Sequence, residues 1–197
     1  MIPDSLLLYP DTLDPRDIVS RVRACLAKAE YNKDVWCDPR MDWQNYIQRV
    51  CWEYGIHPAM VLVSLQRERS LFGQQADERD FDFALGVVGQ DAPGTTNERW
   101  NGLPNQILLG ARTMAWLAGI GPEANFGFRP GLYPNAARWV DGGPNEVKLY
   151  TAYKWDGRLH PATTRSEYAQ LCFTPHLEVL ETNEQIYNKW FKSIWEV

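Results

Sequence analysis

The segment from Pro58 to Gly73 constrains this chain more than any other. Pro58 suits the first position of a helix and Gly73 its end, and Val61, Leu65 and Phe72 recur between them at steps of four and seven. That spacing predicts one helix with an apolar stripe turned toward a core. Glu68 falls on the same stripe, three residues after Leu65 and four before Phe72. An ionised carboxylate is costly to bury alone, and desolvation raises a carboxyl pKa, which makes a proton donor. Arg67 and Arg69 flank Glu68, so a structural ion pair is the competing reading of the pattern.

Helical periodicity recurs on both sides of this segment. Asp14 and Pro15 open a helix running to about Lys28, with Ile18, Val22, Cys25 and Ala29 on its stripe. A loop is expected from Asp34 to Pro39. A second helix follows Asp42, with Trp43, Tyr46, Ile47, Val50, Cys51 and Tyr54 on one face and Gly55 at its end. Residues 74–102 break the pattern and read as a small β-hairpin or irregular lobe. Helix returns at Pro104 and stops at Gly119 or Gly121. Residues 119–146 are rich in Gly, Pro and Asn and read as a surface excursion. A short element around Val147–Tyr153, a turn at Asp156-Gly157 and a helix over Thr164–Leu171 follow. The final helix is expected to start at Thr182, where Thr182 and Gln185 have capping-box spacing, with Ile186, Trp190, Phe191 and Ile194 on its face. The expected class is mostly α. Residues 1–41 read as a helical extension packed on a main domain of residues 42–197.

Composition narrows the function classes. With 45% hydrophobic and 23% charged residues, the 197-residue chain matches one well-cored globular domain. A net charge of −5 argues against nucleic acid as the main partner. No segment is long and apolar enough to span a bilayer, so no stable membrane insertion is expected. The start has one apolar run, Leu6-Leu7-Leu8, but no basic region before it, and reads as no signal peptide. Four cysteines without C-x-x-C spacing read as buried free thiols. Scattered histidines, no H-E-x-x-H, no Gly-Lys-Ser/Thr and no G-x-S-x-G leave no zinc site, P-loop or hydrolase elbow, and no metal or cofactor is expected. Nine Trp and nine Tyr either fill a core or line a carbohydrate groove.

The order of three phrases carries a resemblance. Pro58-Ala59-Met60-Val61-Leu62-Val63-Ser64-Leu65-Gln66-Arg67-Glu68 is followed by Phe83-Ala84-Leu85-Gly86-Val87-Val88-Gly89, then by Trp100-Asn101-Gly102-Leu103-Pro104-Asn105-Gln106-Ile107. Ala162-Thr163, Tyr168, Phe173-Thr174-Pro175-His176 and Asn183 to Trp195 extend it to the tail. Over roughly residues 43–195 the chain resembles the lysozyme-like superfamily, in its goose-type lysozyme and soluble lytic transglycosylase branch. The resemblance implies a two-lobed helical fold, with a small hairpin or irregular lobe lining a cleft, and a peptidoglycan glycan strand as partner. It implies that Glu68, ending its helix, protonates the glycosidic oxygen.

It also implies the remaining candidates. Ser70, Gln90, Trp100, Gln106, Tyr153 and Tyr168 are the substrate-binding candidates, the competing readings being a plain helix residue for Ser70, a helix N-terminal polar residue for Gln106 and core packing for Tyr153 and Tyr168. A hydrolase needs a second carboxylate, about 6.5–9.5 Å from the first if it inverts and about 5–5.5 Å if it retains. Asp77, Asp80, Asp82, Asp91 and Glu98 compete for that role, and Asp91 is favoured because it follows the Gly86–Gly89 stretch. A lytic transglycosylase needs none. The expectation is therefore a monomeric muramidase, with a transglycosylase and a non-catalytic wall-binding or virion module as alternatives. Without a signal peptide it would be made in the cytoplasm and reach the wall as a phage lysin, in a virion, or as a delivered effector.

Overall fold

The computed structural model describes residues 2–85, 101–120, 138–151, 154–174 and 178–196, with backbone alone for 148–151 and 154–158. The protein is mostly α, with one small two-stranded sheet. Helix α1 (Pro15–Leu26) is capped by the Asp14 carboxylate, which accepts from the Arg16 N–H, and has Pro at its start. The expected loop after it instead holds a 3-10 turn (Glu30–Asn32) and a short helix, α2 (Lys33–Trp36). Helix α3 (Trp43–Tyr54) starts at an Asp42 cap and stops at Gly55, whose φ of 72° an L side chain would resist.

Helix α4 (Pro58–Arg69) is the centre of the fold. Every residue from Pro58 to Leu65 is buried, so no single stripe distinguishes its core face. Helices α1 and α3, together with three further helices, α6 (Leu103–Ala118), α7 (Arg165–Phe173) and α8 (Glu178–Ile186), share one hydrophobic cluster with it. A helix apolar on all sides is stable only where neighbours cover it all round. Ile2, Leu7, Tyr9, Ile18 and Val22 belong to the same cluster, and Leu8 bridges Ile56. Residues 1–41 are thus built into the common core.

Within 74–102 the described residues hold one short helix. Helix α5 (Glu78–Asp82) carries a full capping box, with the Asp77 carboxylate accepting from Asp80 N–H and the Asp80 carboxylate from Asp77 N–H. Past α5, Leu85 docks on α6 through two contacts on one helical face. The buried Gln106 Oε1 accepts its N–H at 3.1 Å, and its side chain fills the notch at Gly110. A Cβ on Gly110 would stand 2.2 Å from Leu85 Cδ1. Gly110→Ala is therefore expected to cost about 1–3 kcal/mol, read as a lower urea midpoint at unchanged slope.

The sheet pairs β1 (Glu146–Thr151), where a short element is expected, with β2 (Lys154–Pro161), antiparallel from Glu146↔Pro161 to Thr151↔Lys154. The hairpin or irregular lobe expected within 74–102 falls largely on residues 86–100, outside the described residues. Asp156 and Gly157, expected as a turn, lie inside β2. Helix α7 starts, as expected, at a Thr164 cap.

The final helix starts at Glu178, so Thr182 lies inside it and is no cap. A π turn (Tyr187–Phe191) and α9 (Lys192–Trp195) continue it. Val179, Asn183, Tyr187, Phe191 and Trp195 are its buried face, at strict steps of four, while Ile186, Trp190 and Ile194 are only partly buried. At 3.6 residues per turn each step of four overshoots by about 40°, so about 160° would accumulate by Trp195. The wider i→i+5 turn takes up part of that drift and keeps Phe191 and Trp195 on the core.

The aromatic excess largely fills this core. Phe72 stacks on Trp36 at 6.1 Å and meets Phe191 edge-on at 5.1 Å, and Trp36 meets Trp43 at 5.6 Å. All four cysteines are free thiols. Cys25, Cys51 and Cys172 are buried as expected, whereas Cys37 is exposed. Burial pushes the Cys25 and Cys172 thiols up to about 12.

Candidate active site

Glu68 occupies the last turn of α4, where the buried rod meets the surface. The helix ends earlier than its sequence suggests. Ser70 takes φ 51°, the one positive value at a non-glycine among the described residues, and its carbonyl accepts from the Gly73 and Gln74 N–H groups. Phe72 therefore lies past the helix, and the stripe that placed Glu68 beside it does not exist. Glu68 retains 27% side-chain exposure, more than anything in the first two turns, and is not sealed in the core.

Its partner is the neighbouring Arg67, whose side chain is only 9% exposed. Arg67 Nε and Nη2 both donate to Glu68 Oε1, at 2.9 and 2.6 Å, and the Thr174 hydroxyl donates to the same oxygen at 3.3 Å. Among the described residues no donor reaches Oε2. A buried guanidinium needs its donors satisfied. Arg67 Nη1 therefore donates to Asn183 Oδ1 at 2.9 Å, and its Cζ lies 5.8 Å from the Phe173 ring. The polar chain continues through the core. Asn183 Nδ2 donates to Gln170 Oε1 at 2.8 Å, and Gln170 Nε2 donates to the Ser166 hydroxyl and carbonyl at 2.9 and 3.1 Å. One oxygen of Glu68 is thus fixed by groups from three helical segments, while the other has no donor among the described residues.

The segment after α4 is fixed just as firmly. Buried Asn32 donates from Nδ2 to the carbonyls of Leu71 and Gln74, at 2.6 and 2.9 Å, and accepts the Ala76 N–H at 3.0 Å. Asn32→Ala removes all three bonds and strands buried backbone groups. We expect a loss of about 2–4 kcal/mol, measured by urea unfolding.

The other sequence candidates divide sharply. Gln106 is fully buried and holds Leu85, so it is a structural amide away from any surface a substrate could reach. Tyr168 is buried with its ring 5.8 Å from Trp139, in a core position. Ser70 ends α4. Asp77 and Asp80 are occupied as helix caps, and Asp80 also lies 4.0 Å from Arg69. Asp91, Gln90, Trp100 and Tyr153, like Glu98, lie outside the described residues. Gln170 escaped sequence reasoning, whereas Arg67 is the ion-pair partner that the flanking pattern offered and Asn183 stood in the tail phrase without a role. Thr174 had one trace, its place in Phe173-Thr174-Pro175-His176.

Fold and site together define a mostly helical protein whose central buried helix ends in an oriented, half-exposed carboxylate. No family model matches the chain, no curated protein matches it in sequence, and no solved structure matches it.

Proposed function

We propose that the protein is a peptidoglycan-cleaving enzyme of lysozyme-like, two-lobed architecture. It breaks the β-1,4 bond between N-acetylmuramic acid and N-acetylglucosamine with Glu68 as general acid. The observation that carries this reading is the asymmetric carboxylate, with Oε1 held by Arg67 and Thr174 and Oε2 open among the described residues. A proton on Oε2 passes to the glycosidic oxygen as the bond breaks and positive charge develops on the sugar. The carboxylate left behind is stabilised by the two Arg67 N–H groups, already in place and mostly shielded from water.

Clearing of purified peptidoglycan by wild type beside Glu68→Gln tests the proposal. Mass spectrometry of the digest assigns the second step. Reducing N-acetylmuramic ends mark hydrolysis, and 1,6-anhydro ends mark internal attack by the muramic acid 6-hydroxyl, the transglycosylase outcome.

A further inference from the structure

A second concave site lies on the side of α4 turned away from Glu68. It is a groove of about 700 Å³. From α4 it takes Gln66, two residues before Glu68 and so about 200° round the helix, and from the helix end it takes Ser70. One wall follows α1 and includes Tyr31; the opposite wall is Trp190 and Lys189 from the π turn; Gly73 and Gln74 form the floor between them.

Its surface chemistry is specific. Tyr31 is 58% exposed, so its ring is open to solvent on this wall. Trp190 leans on Phe72 at 6.3 Å, and the Lys189 ammonium sits over its ring, 5.1 Å from the centroid, in a cation–π contact. The polar lining combines two neutral amides, Gln66 and Gln74, with the charged Lys28, Glu30 and Lys189. Gln66 Oε1 accepts the Phe72 N–H at 2.8 Å, and no partner among the described residues takes its Nε2. Gln74 is exposed beside it. Gly73 keeps the floor open, because a Cβ there would stand 3.2 Å from Gln66 Nε2 and 3.8 Å from Trp190 Cζ2.

The groove is also rigid before any ligand arrives. Asn32 ties down residues 71–76, and Lys28 Nζ donates to the Trp190 carbonyl at 2.6 Å, joining the two walls. Flat rings flanking neutral amides suit a pyranose, whose C–H faces stack while its hydroxyl and acetamido groups hydrogen-bond.

We infer that this groove is a second, non-catalytic saccharide site that holds an N-acetylated amino-sugar strand while Glu68 works on the other side of the helix. The choice of an amino sugar rests on the proposed function; the saccharide class rests on the lining.

The test titrates tetra-N-acetylchitotetraose into Glu68→Gln protein, followed by calorimetry and by NMR of the indole and glutamine side-chain signals. Saturable binding is expected, with shifts at Trp190, Gln66 and Gln74. Tyr31→Ala removes a solvent-facing ring and should weaken binding about three- to tenfold. Gly73→Leu fills the floor and should abolish it. No binding at millimolar sugar would overturn the inference, as would binding that neither variant changes or shifts confined to the Thr174 side. The two readings fail separately. If Glu68→Gln clears peptidoglycan like wild type, the catalytic role falls, whereas chitotetraose binding judges the groove alone.

Discussion

Glu68→Gln is expected to lower peptidoglycan clearing by about 10²–10⁴-fold, the usual contribution of a positioned general acid. The substitution is close in shape, and the amide oxygen can still accept from Arg67 and Thr174. What it removes is the acidic proton and the negative charge. Losing the charge leaves a largely buried guanidinium without its counter-ion, which should cost about 1–3 kcal/mol. Activity must therefore be compared well below the unfolding temperature, with near-identical circular dichroism for both proteins. Arg67→Lys separates the two effects. Lysine keeps a cation but cannot reach Glu68 and Asn183 together through one planar fork, so activity should fall while Glu68 stays able to carry a proton. Equal clearing by wild type and Glu68→Gln would remove Glu68 from the mechanism.

The second large effect concerns pH. His57 caps α4, its Nδ1 accepting the Ala59 N–H at 3.0 Å, and its ring meets the edge of Trp195 at 4.5 Å. Burial, reinforced by the nearby Arg21 cation, pulls its pKa from 6.5 down to about 3. The folded state thus keeps the ring neutral where the unfolded chain protonates it. Above pH 6.5 the difference vanishes; as pH falls toward 3 the unfolded state gains protons first and stability is lost. The full shift corresponds to a loss on the order of 5 kcal/mol, comparable with the total stability of many domains.

Buried Glu167 adds to the acid limb at lower pH. Burial alone would raise its pKa, but bonds from the Thr163 N–H and hydroxyl and from His160 outweigh it and leave the carboxyl below its ordinary 4.5. Its stabilisation is present above about pH 4.5 and disappears below. The two contributions therefore separate by window. His57→Asn retains a capping side chain and removes the imidazole. Urea unfolding at intervals from pH 7 to 4.5 should show a steep fall for wild type and a nearly flat line for the variant. Parallel lines would mean that His57 does not set the acid limb.

The boundaries legible in the sequence were those written by local chemistry. Asp14-Pro15, Asp42, Gly55, Thr164 and Gly119 each act within one turn of the residue itself, and each marks the helix end it suggested. Glu68 was legible as a helix-ending acid, but not its surroundings. Ser70 adopts a left-handed conformation that serine rarely takes, so the helix seemed to run on to Gly73 and drew Phe72 onto a false stripe. The residues that orient the carboxylate, Thr174 and Asn183, come from α7 and α8, more than 100 positions away, and spacing along one helix carries no trace of them. Asp156-Gly157 has turn chemistry, yet the two residues lie within β2, at the irregularity in its register with β1. Gln106 shows the opposite pattern, since the resemblance offered it as a substrate contact and the fold buries it as the acceptor for the Leu85 N–H.

Two basic side chains of the first helical region reach across nearly the whole chain. Arg21 donates to the Ile194 carbonyl, 173 positions away, and Lys28 to that of Trp190, 162 positions away. During synthesis α1 emerges more than 160 residues before the carbonyls it must engage. Its apolar face, with Ile18, Val22 and Cys25, stays partly uncovered until then. Such distant closures slow folding because much chain entropy is lost before they form. The nascent protein should therefore remain protease-sensitive and chaperone-dependent until translation has passed Ile194, and then close in one late step.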